Sequence, residues 1–366
     1  VGNLDTGFND YGVESEHDIR VAVAGAGSAI SGMMQAIQLY KQGDGRGLLH
    51  PVLNKYSPSD VEVVAAFDVD KRKVGKKLRE ALFIDDHCLH KFAEVTSSVR
   101  VEPGLLQEKG LDQRIDVVTS DFDTIVTVLK ESRAEMLVNA INGGLDGSSE
   151  VYAKAALKAG LAFINITPAS VATNVELEEA FSKTHLPLLG DDLLSQIGGT
   201  VFHAYILSFL NARGVKIDQT YQLDVGGGLE NQLTVDDDEL RLKKRAIKTM
   251  TVTSVLPYPV KAATGTTEYV DFMGNSRDSH FEVVGTYVLG APIEAEITLR
   301  SMDGANAAGP LLDAIRATKV ALNKGVGGAI EQVNPYLFKM IRTNIDPFAA
   351  EKEFMEFTSE ALTKAV

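Results

Sequence analysis

A single cysteine, Cys88, stands among 366 residues. That is too few for an intrachain disulfide framework, and it suits a reducing compartment. No run approaches the roughly 18 consecutive apolar residues that a membrane helix needs. Val1 to His17 is acidic and polar, with no apolar stretch of the kind a secretory leader carries. A cytosolic protein is the expectation. Positive charge is also scarce: 36 Lys and Arg face 50 Asp and Glu, a formal net charge of −14. This balance argues against nucleic acid and against an anionic membrane surface as partners. It also means that an anionic ligand needs a local cluster of cations. Neither a Gly-x-Ser-x-Gly elbow nor a P-loop occurs, so the commonest hydrolase and nucleoside-triphosphatase signatures are missing. Internal repeats, low-complexity tracts and long linkers are absent too. The remaining composition is that of an ordinary globular chain, 45% hydrophobic and 23% charged, long enough for two domains.

Alternation of strand and helix is what the chain does carry. Ile19 to Ala24 is a short β-rich run ending in Gly25-Ala26-Gly27-Ser28-Ala29, and a helical pattern follows through Met33, Met34, Ile37 and Leu39. Strand, glycine turn and helix open a dinucleotide-binding βαβ unit. The next strand, Val61 to Phe67, ends in Asp68, and an acid at that place accepts hydrogen bonds from the adenosine ribose. Two departures loosen the pattern. About forty residues separate Gly27 from Asp68, where about 20 are usual. Gly32 replaces a strict third glycine. The excess lies between Lys41 and Ser59, a Gly/Pro/Ser-rich stretch that reads as an inserted loop. A tight strand–helix turn without a ligand is the plain alternative.

Further units follow. Met136 to Ile141 reads as a strand running into Asn142-Gly143-Gly144, and Ser149 to Leu157 as a helix closed by Gly160. Ala162 to Thr167 is a strand, and Asn174 to Lys183 a helix capped by Asn174. A Leu186–Leu189 strand then delivers Asp191 and Asp192. Strands alternating with helices predict a doubly wound parallel sheet that binds ligands at the strand C-terminal ends, where Asn142, Thr167 and Asp191 fall. After Asp192 comes Ser195-Gln196-Ile197-Gly198-Gly199-Thr200, opening an amphipathic helix to about Arg213. Such a turn gathers backbone N–H groups and hydroxyls at the positive end of a helix dipole, a ready phosphate site.

Past residue 214 the character changes. His280 to Tyr287 is strand-like, and Pro292 to Arg300 alternates apolar and polar side chains, the pattern of an antiparallel sheet. With a helix at Leu311–Leu322 this predicts a second, smaller α+β domain, and a tail helix runs from Ala350 to Leu362. Lys244 and Lys248 lie four residues apart, crowded by Lys243 and Arg245. A solvated cationic face is the bland reading. Against it, the segment follows the Gly226-Gly227-Gly228 turn and precedes an apolar run, Thr251 to Leu256, read as a strand. Clustered, buried cations lower one another's pKa, so one lysine can act as a base while its neighbours hold an anion. Asp85, Asp86, His87, Cys88 and His90 lack a second ligand cluster and read as a polar helix end or loop, so no metal is expected. His203, on the helix after the phosphate turn, reads as a packing residue.

Gly190–Thr200, together with Tyr221–Gly228, Lys244–Ser254, Glu268–Gly274 and Met302–Leu322, resembles the myo-inositol-1-phosphate synthase family in its shorter bacterial branch. The likeness runs from the first glycine turn to about Lys339. It implies a homotetrameric, NAD-dependent isomerase of inositol biosynthesis that converts D-glucose 6-phosphate to 1D-myo-inositol 3-phosphate. Oxidation at C5 would acidify the C6 protons, the enolate would attack the C1 aldehyde, and the hydride would return to C5. By motif, Lys244 and Lys248 correspond to two lysines flanking the reacting carbons and Lys339 to a third, while Arg277 takes the place of a fourth. Lys248 and Lys339 are expected at the developing oxyanions, with Lys244 as proton shuttle at O5. Ser195, Gln196, Gly198, Gly199 and Thr200 would hold the substrate phosphate. Gly25, Gly27, Ser28, Ala29 and Asp68 would hold the adenosine half of NAD. Asn142, Thr167 and Gly227 would line the cofactor, with Asp191 and Asp303 nearer the nicotinamide. Residues 1–200 and 325–366 would form a Rossmann-type NAD-binding domain, and residues 201–324 an inserted catalytic and tetramerisation domain.

Several positions depart from the family pattern. Leu194 and Ala204 replace basic residues, Gly228 an asparagine, Glu230 an aspartate and Arg277 a lysine. Arg277 can clamp a phosphate but cannot serve as a base. Three readings therefore stay open: an active glucose-6-phosphate cyclase with a remodelled site, a cyclase or epimerase of the same mechanism on another sugar phosphate, and a catalytically weak NAD-binding scaffold.

Overall fold

A computed structural model describes residues 19–85, 88–109, 115–343 and 345–359. In chain order its strands are β1 (Ile19–Ala24), β2 (Val61–Asp68), β3 (Val101–Pro103), β4 (Met136–Asn139), β5 (Ala162–Asn165), β6 (Pro187–Leu189), β7 (Lys216–Gly226), β8 (Lys261–Tyr269), β9 (Ser276–Tyr287), β10 (Ala291–Met302) and β11 (Gly328–Ala329). Its helices are α1 (Ser28–Lys41), α2 (Leu78–Ala81), α3 (Phe122–Glu131), α4 (Asp146–Ala159), α5 (Val175–Lys183), α6 (Gly199–Ala212), α7 (Leu229–Asp236), α8 (Asp238–Thr253), α9 (Asp303–Lys324), α10 (Asn334–Leu337) and α11 (Pro347–Thr358). No helix among the described residues is long and apolar enough to cross a membrane.

The first sheet has seven parallel strands in the order β11-β6-β5-β4-β1-β2-β3. Six of them follow the doubly wound order 3-2-1-4-5-6, with the strand order reversing beside β1. Alternate residues of each strand feed two cores. Val21, Val23, Val138 and Ile164 pack with Met33, Leu311, Ile315 and Phe354 on one face. Ala22, Phe67, Leu137 and Phe163 pack with Ile125, Tyr152 and Phe181 on the other. Burial on both faces explains why these strands read as short, near-continuous apolar runs. Gly160 closes α4 at φ 82°, as its place in the sequence predicts.

Helix α9 sits elsewhere than the sequence suggests. Expected with the second sheet, it crosses α1 beneath the parallel one, because both helices carry glycine at the crossing. A Cβ on Gly32 would stand 2.1 Å from the Gly304 carbonyl oxygen. The Gly/Pro-rich stretch after α1 is an irregular loop fastened to α9: Asp313 pairs with His50 (2.6 Å) and with Arg316 (2.5 Å), both its carboxylate and the guanidinium being buried.

The second sheet runs β10-β9-β7-β8 and is mixed. The β9–β10 and β7–β9 pairs are antiparallel as expected, but β7 and β8 run parallel, since α7 and α8 cross between them. Thr251 to Thr253 belong to α8 and not to a strand. Helix register buries Val252 beside Leu207, Ile217 and Val283, so the apolar run packs without extending. The tail helix ends at Thr358, and the part of the expected helix beyond Ser359 lies outside the described residues.

Candidate active site

The strand ends of the first sheet build a cradle. Gly25, after β1, has φ 94°, and a Cβ there would stand 2.4 Å from the Ala140 carbonyl oxygen, so only glycine fits. Gly27 caps α1, and a Cβ built on it meets nothing within 4 Å. The open space over the α1 N-terminus is where a pyrophosphate would lie in this fold. Asp68 closes the cradle: Oδ2 accepts from Ala26 N (2.9 Å) and Oδ1 from Asp70 N (2.9 Å), each oxygen keeping a further lone pair. Ser28 Oγ accepts from Asn275 Nδ2 (3.1 Å), and Ala29 follows in the same turn. Buried Lys73, which sequence reasoning missed, donates to the Ala26 carbonyl (3.2 Å) and pairs with Asp85 (2.7 Å). These residues fit a dinucleotide.

Beneath the strand ends lies a polar floor. Asn139, Asn165 and Thr167 bond to one another, and Asn165 Nδ2 donates to Asp191 Oδ1 (2.8 Å). The Asp191 carboxylate faces away from the cradle. It accepts from the N–H groups of Val171, Ala172 and Thr173 and from the Thr173 hydroxyl. Burial pushes its carboxyl up, and these donors oppose the rise. Thr167 and Asp191 are therefore satisfied by the fold and leave no group for a nicotinamide. Asn142 lies in the turn after β4. That turn approaches the lysines, since a Cβ on its neighbour Gly143 would stand 3.3 Å from Lys244 Nζ.

The four cations singled out from sequence converge beside this turn, each on a carboxylate. Lys244 Nζ donates to Glu230 (2.7 Å) and to Thr234 Oγ1 (2.9 Å). Lys248 Nζ donates to Asp224 Oδ2 (2.7 Å). Arg277 grips Asp303 through Nε and Nη2 (2.7–3.1 Å) and lies 3.8 Å from Asp224 and 3.6 Å from Glu230. Lys339 Nζ donates to Asp192 (2.6 Å). The spacing that placed Lys244 and Lys248 on one helical face is realised on α8, and that face is buried. Gly227 backs the cluster with its backbone against Gly274, where a side chain would clash.

Asp224 is the pivot. The period-two pattern of β7 turns Thr220, Gln222 and Asp224 toward the helices while Tyr221 and Leu223 face out. Its carboxylate also accepts from Ser279 Oγ (2.7 Å) and Gln222 Nε2 (2.9 Å). Burial alone would raise its pKa, but the Lys248 ammonium and the Arg277 guanidinium hold it at about 2. Burial depresses Lys248, and Arg277 and Lys339 depress it further against the pull of Asp224. Glu230 is held low chiefly by Lys244, and burial of Arg277 is outweighed by Asp303, Glu230 and Asp224, which raise it. Asp192 and Asp224 are not among the site residues singled out from sequence, although they lie in the resembling stretches Gly190–Thr200 and Tyr221–Gly228; the further signals are a second carboxylate beside Asp191 and an acid on the buried face of an alternating strand.

The Ser-Gln-x-Gly-Gly-Thr turn lies against the same pivot. Gly198 caps α6, and a Cβ on Gly199 would stand 3.2 Å from Asp224 Oδ1. The first-turn N–H groups of α6 at Gly199 and Thr200 lack intrahelical partners, and Gly199 packs against Asp224, the carboxylate that Lys248 and Arg277 share. Ser195 flanks Gly198, but the Gln196 side chain turns away to donate to the Gly47 carbonyl (2.6 Å). His203 is buried, with Nε2 2.6 Å from Thr220 Oγ1, and burial takes its pKa down to about 4. Among the described residues no group of His, Cys, Asp and Glu could hold a metal; Asp86 and His87 lie outside them. Asp85 pairs with Arg72 and Lys73.

A sequence profile described as myo-inositol-1-phosphate synthase matches residues 198–304. The chain is similar to the inositol-3-phosphate synthase of Corynebacterium glutamicum, 33% identical over 95% of this chain and 100% of the relative. It is also similar to that of Mycolicibacterium smegmatis, 34% identical over 89% of this chain and 94% of the relative. A crystal structure of a myo-inositol-1-phosphate synthase-related protein from Thermotoga maritima shares the fold, with a TM-score of 0.77 at 21% identity over 93% of this chain and 98% of that one.

Proposed function

The chain belongs to the myo-inositol-1-phosphate synthase family, and on that premise we propose that it cyclises D-glucose 6-phosphate to 1D-myo-inositol 3-phosphate. The carrying observation is the cluster in which Lys248 and Arg277 face Asp224, against which the α6 N-terminus packs, with Lys244 on Glu230 and Lys339 on Asp192. NAD, when bound, would take a hydride from C5 of the sugar and later give it back. Gly25, Gly27, Ser28 and Asp68 would hold its adenosine half, with Ala29 in the helix turn below. Asn142 and Gly227 would line the cofactor between that half and the lysines.

The chain's own residues supply the charge control. The α6 N–H groups, with Ser195, Gly198, Gly199 and Thr200, take the substrate phosphate and anchor the sugar beside the cations. Burial and the neighbouring Arg277 and Lys339 charges push Lys248 down, so it is assigned the proton at O5, in place of Lys244. Lys244 and Lys339, each aimed by a carboxylate, stabilise negative charge as it develops on O5 and O1. Arg277 stays charged and keeps Glu230, Asp224 and Asp303 together. The substrate phosphate, or a base, would take the proton from C6, the enolate would form the new bond to C1, and O1 would take up a proton in return, so that with hydride and proton restored at C5 and O5 the overall reaction is an isomerisation.

The parallel-sheet layer, with α9 and α11 packed on it, is read as the cofactor-binding domain. The second sheet's open face, carrying Tyr221 and Leu223, is read as the surface of a homotetramer. A cytosolic location agrees with the single cysteine. Incubation with NAD and glucose 6-phosphate, followed by NMR of the product, tests the reading: inositol phosphate forms without net NADH. A different cyclic product would transfer the chemistry to another sugar phosphate. Dinucleotide binding without turnover on any sugar phosphate would overturn the assignment.

A further inference from the structure

We propose that Asn306 is a positioning residue of the anion turn, acting through the Ser195 hydroxyl; this rests on reading the α6 N-terminus as the phosphate site. Asn306 lies in the first turn of α9 and is 5% exposed. Two of its polar atoms already shape the turn. Its carbonyl accepts from Gln196 N (2.9 Å), and its Oδ1 accepts from Ile197 N (3.2 Å). Its third, Nδ2, is buried and has no hydrogen-bond partner. A buried amide donor left unpaired is destabilising, and most folds avoid one unless a ligand or a movement completes it.

The place of Nδ2 indicates what completes it. It stands 3.8 Å from where a Cβ on Gly198 would lie, and Ser195 Oγ is 2.8 Å from that same point. Amide, hydroxyl and the glycine that caps α6 thus share one spot beneath the turn. No charged side chain occurs from Leu193 to Thr200, so the donors within the turn itself are neutral, and their direction decides what they contribute beside the neighbouring cations. A hydroxyl has one proton and two lone pairs. When Ser195 Oγ rotates to accept from Asn306 Nδ2, its own proton is directed outward to a phosphate oxygen. Asn306 then fixes which way Ser195 donates, and filling the anion site satisfies the buried amide.

The probe is inorganic phosphate, titrated calorimetrically into the NAD-loaded protein. Asn306→Asp keeps the size and the acceptor for Ile197 but replaces the donor with a carboxylate oxygen; Asn306→Ala removes the side chain without adding charge. Both variants should bind phosphate at least tenfold more weakly. The KM for glucose 6-phosphate should rise in parallel, with kcat within about threefold and the KM for NAD unchanged. Ser195→Ala should be weakened similarly, and Ser195→Ala/Asn306→Ala no further. Phosphate binding within twofold of wild type in both Asn306 variants overturns the proposal, as do additive losses in the double variant. Failure of both to fold, or a change in the KM for NAD, assigns Asn306 a purely structural role and also overturns it. If the wild type itself ignores inorganic phosphate, the reading of the α6 N-terminus fails first, an outcome separate from the others.

Discussion

Replacing Asp224 by asparagine removes the carboxylate on which the cation cluster turns. Asp224 is 1% exposed, 2.7 Å from Lys248 Nζ and 3.8 Å from Arg277 Nη1. Its carboxyl titrates at about 2 in the folded protein, against 3.8 for an unperturbed aspartate. The folded value lies below the unfolded one, so the contribution to stability is complete above pH 4 and disappears as pH falls toward 2. That depression is worth about 2 kcal/mol at pH 7. The substitution also leaves Lys248 buried against Arg277 and Lys339 with nothing opposite, and deleting one partner of a buried pair costs about 3–5 kcal/mol. Urea denaturation at pH 7 should therefore show a loss of about 2–5 kcal/mol. Asp224→Asn/Lys248→Met, which removes both charges, should recover part of it. A loss under about 0.5 kcal/mol, or a double variant no more stable than Asp224→Asn alone, would show that the carboxylate does not organise the cluster.

Three further outcomes follow from the same geometry. Gly27→Ala has open space for its methyl group and should melt like wild type while losing NADH affinity, whereas Gly25→Ala, strained at φ 94° and clashing with Ala140, should lose both; fluorescence titration of NADH beside thermal melting separates the two. Lys248→Arg keeps a charge that cannot be given up near neutrality, so turnover should fall about a hundredfold or more and stay low as pH is raised; a pH–rate profile retaining a tenth of wild-type activity contradicts the proton-transfer role. Leu223→Glu, on the open face of the second sheet, should shift the protein to smaller species in sedimentation without unfolding it; an unchanged profile removes that face from the assembly.

Local chemistry made much of this protein legible. The Gly25–Ala29 turn, the acid ending β2 and the apolar runs of β4, β5 and β6 announce a doubly wound sheet, because buried parallel strands and glycine turns leave marks within a few residues. The i, i+4 placement of Lys244 and Lys248 likewise survives folding, since a helix keeps that spacing whatever it packs against. Other features depend on partners far along the chain. Thr251–Leu256 is apolar because it packs on the second sheet, and helix and strand serve equally for a run so short. The boundary drawn at residue 324 misses α9, whose loyalty is settled by Gly32 meeting Gly304 across more than two hundred residues. Asp191 and Asp192 are adjacent and chemically alike, yet one is consumed by the 171–173 loop and the other aims Lys339.

The residues themselves decided which groups were available: a glycine turn after β1 and a Ser-Gln-x-Gly-Gly-Thr turn, each written in contiguous sequence, and four cations spread from residue 244 to residue 339. Tertiary structure alone decided their pairing. A carboxylate reaches its ammonium through space, across separations of up to 147 residues in the case of Asp192 and Lys339. A pKa is set by what surrounds a group in the fold, whatever its neighbours along the chain.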